Sequence, residues 1–170
     1  MAKVEIKDDI TYLTIYRSDF ERIGEGQFYS GAMHQCAGFA VIDKRRFKQY
    51  QQLTDQKFTT EFVIVIYDEM RVVYGDKVLD IILSHEVGHI KLGHLRMTDE
   101  EAIANKTKIE LEADDYAAKI HGKKAVHRAL MKTVKVLAPI FAKYEKTTIK
   151  AVLEELTTDS IFAHRLEALV

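Results

Sequence analysis

An α+β architecture follows from three features of this 170-residue chain. Strand-like runs lie in its first half, at 11–16, 36–42 and 61–67, the last dense in β-branched residues. From Asp76 onward the apolar residues recur at the helical spacing instead. One Pro and 8 Gly leave little material for linkers. A single domain over 1–170 is therefore expected, with a small sheet packed on a helical body.

Each element has its own signal. Residues 11–16 alternate polar and apolar, the rhythm of a half-buried strand. Gly24, Gly26 and Gly31 then mark a loop or tight hairpin. A second strand is predicted over 36–42 and a short charged helix over 44–52. The clearest strand is 61–67, after which Asp68-Glu69 and Gly75-Asp76 read as turns. Asp76 caps a predicted helix whose buried stripe is Val78, Leu79, Ile82, Leu83 and Val87, with Gly93 as its stop. Thr98-Asp99-Glu100-Glu101 is a capping signature, and the helix after it runs through 108–121 to end at Gly122. Further helices are expected over 123–137, broken before Pro139, then over 141–156 and 161–170.

Composition excludes several function classes. Lys and Arg number 25 against 26 Asp and Glu, a net charge of −1, so the basic footprint of a nucleic-acid binder is missing. Cys36 is the only cysteine, which rules out an intrachain disulfide. The charged residues 1–9 lack the apolar core of a signal peptide, and no apolar run is long enough to span a bilayer. A cytoplasmic protein is expected.

The chemistry is concentrated at His85-Glu86-Val87-Gly88-His89, an HExxH sequence. Positions i and i+4 share a helix face, so two imidazoles converge on one point, as a bound Zn²⁺ requires. Glu86 is placed to act as general base on a water at that metal. With 7 His in the chain, about 0.02 such matches arise by chance. A catalytic zinc takes a third protein ligand. His94 falls five residues after His89 and position 92 is Leu, so the metzincin pattern fails. A carboxylate on a following antiparallel helix is the alternative. Glu110 and Asp114, four apart, lie at helical-hairpin distance from His89. The small residues Ala113 and Ala117 let the two helices approach closely enough for Glu110 to reach the metal. Asp114, one turn on, can accept a hydrogen bond from a ligand imidazole and fix its tautomer.

Over residues 61–118 these features resemble the gluzincin zinc metallopeptidases, most closely the HtpX and CaaX-prenyl-protease type with its small soluble minigluzincins. The resemblance lies in the strand, the run 75–84 leading into HExxH, the trailing His94, and Glu110-Leu111-Glu112-Ala113-Asp114-Asp115-Tyr116-Ala117. It implies a zincin-like fold, Glu110 rather than Glu112 as third zinc ligand, and 62–66 as the edge strand to which an extended substrate adds. A central buried strand is the competing assignment for that apolar run. Residues 158–169 are similar to the family's C-terminal segment, although Asp159 and Ser160 replace its His-Pro. Arg165 is then a donor to the oxyanion or substrate, or else a surface arginine. His164 and Tyr116 are further candidates for that donor. The family's transmembrane helices and export signals have no counterpart here.

The function expected from these residues is zinc-dependent endopeptidase, acting on a peptide or protein substrate. A catalytically silent zinc-binding regulatory or interaction module is the alternative. His34 and Cys36 are candidate thiolate or imidazole ligands to a metal, or a buried cysteine beside a strand.

Overall fold

The computed structural model describes residues 2–16, 19, 39–42, 50–51 and 53–170. They form two compact units, Met1–Gly75 and Asp76–Val170, with every described strand in the first. The expected Gly-rich loop, His34 and Cys36 lie outside the described residues. So does most of the helix expected over 44–52, of which Tyr50 and Gln51 are helical.

The first unit is built on a four-stranded mixed sheet, order β1-β2-β4-β3. Strand β1 (Lys3–Lys7) and strand β2 (Ile10–Ile15) form an antiparallel hairpin in which Lys7 faces Ile10. Asp8 and Asp9 make the two-residue turn, both at positive φ (50° and 62°). That is the backbone a twisted hairpin needs, and aspartate tolerates it. In sequence, 1–9 reads only as a charged segment. β1 escapes a hydrophobic pattern because four of its five residues are exposed.

Strand β3 (Phe39–Ile42) pairs antiparallel with β4 (Val63–Tyr67), which pairs in parallel with β2 on its other side. β4 is therefore interior, and the edge-strand assignment for 62–66 is corrected. All five of its residues are buried. A continuous apolar run covered on both faces belongs in a sheet's middle, where no main-chain groups remain for an added strand. The turn expected at 68–69 instead opens a short helix, α1 (Glu69–Tyr74). It ends at Gly75, whose N–H reaches the Arg71 carbonyl and whose φ of 72° then turns the chain out of the helix.

The second unit is entirely helical. It comprises α2 (Asp76–Lys91), a 3₁₀ turn (His94–Arg96), α3 (Asp99–Ala104), α4 (Lys106–His121), α5 (Lys123–Glu145), α6 (Ile149–Thr158) and α7 (Ile161–Ala168). The capping box is present: the Thr98 hydroxyl accepts from the Glu101 N–H and the Glu101 carboxylate accepts from the Thr98 N–H. It starts α3, and a break at Asn105 separates α3 from α4. Gly122, at φ 84°, closes α4 with its N–H on the Ala118 carbonyl.

Pro139 does not break its helix; α5 runs through it to Glu145, and the chain turns at Lys146 (φ 55°). A proline inside a helix costs about 3 kcal/mol, because a hydrogen bond is lost and the ring crowds the preceding turn. Here Pro139 and Lys135, whose carbonyl loses its partner, are both exposed, so water can take up the free carbonyl. On the helix's buried side Ala138 and Ala142 pack against Val152 of α6, which holds the helix together across the proline.

The buried face of α2 also differs from the expected stripe. Leu79, Ile81, His85, Gly88 and His89 are buried, whereas Ile82, Leu83 and Val87 are only half-buried. Hydrophobicity alone mislocates the face because two histidines and a glycine occupy it. Ile81 enters a core shared with Ala117, Val126, Ala129, Leu130, Leu166 and Leu169, which ties α2, α4, α5 and α7 together. No helix among the described residues is long and apolar enough to cross a membrane.

Candidate metal centre

α2 and α4 run antiparallel. Proceeding along α2 and into the turn after it, Ser84 meets His121, His85 meets Asp114, Gly88 meets Ala113 and His94 meets Glu112. Gly88 sets how closely they pack. A Cβ there would lie 3.1 Å from Tyr116 Cβ, 3.2 Å from Ala113 Cα and 3.3 Å from the Ala113 carbonyl oxygen. Two of those atoms are backbone and cannot swing aside. Gly88→Ala must therefore push the helices apart, an overpacking cost of about 1–3 kcal/mol. The better helix propensity of alanine returns only about 1 kcal/mol. A lower urea midpoint together with weaker metal uptake is the expected result, read by denaturant titration and metal competition.

The close approach brings three donors together. His85 and His89 are buried, with their Nε2 atoms 3.0 Å apart. Glu110 faces them from α4, its Oε2 3.5 Å from His85 Nε2 and its Oε1 3.6 Å from His89 Nε2. All three donor atoms lie within 4.8 Å of one another. Four ligands placed tetrahedrally at zinc bond lengths sit about 3.3–3.4 Å apart. Each imidazole nitrogen has a Glu110 oxygen close to that distance and the two nitrogens are slightly nearer, so this His85–His89–Glu110 group can hold a metal ion. Its two nitrogens and one oxygen suit several first-row divalent ions.

A second layer of polar residues surrounds the donors. Asp114 Oδ1 lies 2.8 Å from His85 Nδ1. The Arg165 guanidinium donates to Asp114 twice, from Nε at 2.7 Å and Nη2 at 2.8 Å, and its Nη1 lies 2.8 Å from Glu110 Oε2. Ser160 caps α7 by accepting the N–H groups of Phe162 and Ala163, and that helix carries Arg165 inward. The guanidinium is not at the surface: its side chain is 12% exposed and contacts two carboxylates of the site. Of the other two oxyanion candidates, His164 is exposed and Tyr116 is half-buried against Gly88.

Two residues near the site went unassigned in the sequence. His94 is buried, with Nδ1 3.0 Å from His89 Nδ1 and Nε2 3.0 Å from Glu112 Oε2. The signal in the sequence is a third histidine trailing HExxH, at a spacing that fits no direct metal ligand of the metzincin pattern. His121, expected at a helix end, spans the two helices: its Nε2 is 2.8 Å from the Ser84 hydroxyl. That hydroxyl donates to the Asp80 carbonyl, so it accepts from His121 and is not an activated nucleophile.

The electrostatics follow from this packing. Burial works against a charged His85, yet its hydrogen bonds to Asp114 and Glu110 outweigh it and push the pKa up to about 9. His89 goes the other way, down to about 4, through burial and the charge on His85. Burial raises Glu86 to about 7, helped by the Glu110 charge and opposed by His85 and Arg165. Glu110 and Asp114 both lie below the carboxylate range. Burial is overcome at Glu110 by the His85 hydrogen bond and Arg165, and at Asp114 by hydrogen bonds from Arg165 and His85. No family model, curated protein or solved structure matches this chain. Its chemistry must be read from these contacts.

One consequence is a proton-coupled metal affinity. Below about pH 9, His85 holds a proton on the nitrogen that a cation must occupy, whereas His89 is already neutral above about 4. Metal uptake must expel the His85 proton. Apparent affinity should rise with pH across the neutral range, with at least one proton released per ion at neutral pH. Chelator competition across that range checks it; an affinity independent of pH removes the imidazolium from His85.

Proposed function

We propose that this protein is a zinc-dependent endopeptidase with a zincin-like fold around the α2–α4 pair. The observation that carries this reading is the His85–His89–Glu110 donor group, with the Glu86 carboxylate one residue from His85 on the same helix. A carboxylate in that position can serve as general base to a water at the metal. Three protein donors also leave one tetrahedral position open, the arrangement of catalytic rather than structural zinc. When bound, Zn²⁺ supplies Lewis acidity and lowers the pKa of water in that position to about 7.

The chain's own residues would do the rest. His85, His89 and Glu110 hold the ion. Glu86 accepts the proton of the attacking water and passes it to the departing amine nitrogen, so no covalent enzyme intermediate is needed. Asp114 fixes the ring of His85, and Arg165 holds Asp114 and Glu110 in place. The resemblance of residues 61–118 to the gluzincins supports the same assignment.

The test is digestion of a broad peptide library by zinc-loaded protein with and without chelator. New internal cleavages that vanish with chelator and return with Zn²⁺ are expected. No chelator-sensitive products from stoichiometrically loaded protein would overturn the peptidase assignment and favour a zinc-binding interaction module.

A further inference from the structure

His94 has no part in the centre as described so far, yet it is one of the most enclosed polar side chains of the second unit. Its side chain is 3% exposed, and both ring nitrogens have partners. Local geometry shows how it arrives there. Five residues along a helix is about 140° around its axis, so on a continued α2 His94 would point away from His89. The helix stops instead at Gly93, whose φ of 77° turns the chain and brings His94 back to His89. A Cβ at Gly93 would meet nothing within 4 Å, so the glycine is needed for its backbone conformation rather than for space.

The direction of the hydrogen bonds can be deduced from the outer end. The Glu112 carboxylate only accepts, so His94 Nε2 donates to it across 3.0 Å. In the neutral His94 ring, Nδ1 is then the acceptor. It lies 3.0 Å from His89 Nδ1, which must donate. His89 in turn is left with its lone pair on Nε2, the atom that faces His85 and Glu110. A carboxylate on α4 thus sets the tautomer of a histidine on α2 through one intervening ring. We propose that His94 and Glu112 are positioning residues that hold His89 as a metal ligand, matching what Asp114 does for His85. This inference rests on the metal-centre reading of His85, His89 and Glu110.

The two orienting arms differ in construction. Asp114 is buried and braced by Arg165, whereas Glu112 is 43% exposed, with Lys108 3.9 Å away. The outer charge is therefore largely hydrated, and the His94 arm acts through ring orientation more than through charge. An uncharged acceptor in place of Glu112 should keep most of its effect.

Co²⁺ titration followed by d–d absorption tests the proposal in the full chain. His94→Leu, which keeps bulk but offers no acceptor, should weaken Co²⁺ binding about 10- to 100-fold and alter the spectrum. His94→Asn places an amide oxygen close to the lost Nδ1 and should recover most of the affinity and the native spectrum. Glu112→Leu, at a half-exposed position where folding is safe, should weaken binding in the same direction, and Glu112→Gln should restore it. Native affinity and spectrum in both leucine variants would overturn the orienting role. Asparagine and glutamine variants as weak as the leucine ones would also overturn it, since packing alone would then explain the loss. Native protein that takes up no Co²⁺ would overturn the metal centre itself, and this inference with it.

Discussion

Glu86→Gln is expected to lower kcat for chelator-sensitive peptide hydrolysis by about 10²–10⁴-fold while metal affinity stays near native. Glutamine keeps the shape and hydrogen-bonding reach of glutamate but cannot accept a proton from water. The three donors are untouched, so loss of activity with retained metal isolates the base. A second readout comes from linkage. The folded pKa of Glu86, about 7, lies above its ordinary 4.5, so its stabilising share is present at low pH and lost as pH rises through 7. In metal-free protein the variant should lack that part of the decline and be the more stable form above pH 7. Full activity in pure, zinc-loaded Glu86→Gln protein would remove Glu86 from the base role.

Arg165→Met should destabilise the metal-free protein by about 1.5–3 kcal/mol, the scale for losing charge-assisted hydrogen bonds. Methionine approximates the arginine stem but removes one of the two cations, Arg165 and protonated His85, that face Asp114 and Glu110. Part of the loss should return on adding Zn²⁺, because an ion held by Glu110 puts positive charge back beside the carboxylates. Urea unfolding with and without metal measures both effects. A loss below about 1 kcal/mol would mean that the buried carboxylates are neutralised by another route.

What could be read from the residues in order is what short-range physics controls. The i, i+4 spacing of His85 and His89 sets them on one face, and the same spacing sets Glu110 beside Asp114. The Thr98–Glu101 capping box and the Gly122 stop likewise depend only on neighbouring backbone groups. Small residues at 113 and 117 hinted at a close helix pair, although Gly88, which meets Ala113 from the other side, went unnoticed.

Tertiary structure decided the rest, wherever the outcome depended on what lies across from a residue. β4 is interior because it has partners on both sides; its continuous apolar run left an edge and a central position both open. Pro139 stays inside a helix because its exposed side leaves the freed carbonyl to water while Ala138 and Ala142 are buried beneath. Arg165 reaches Asp114 across 51 residues, and His94 reaches Glu112 across 18. Such pairings follow from how helices cross and where a turn redirects the chain. Periodicity along the sequence says which side of a helix is apolar; only packing determines which charge ends up against which ring.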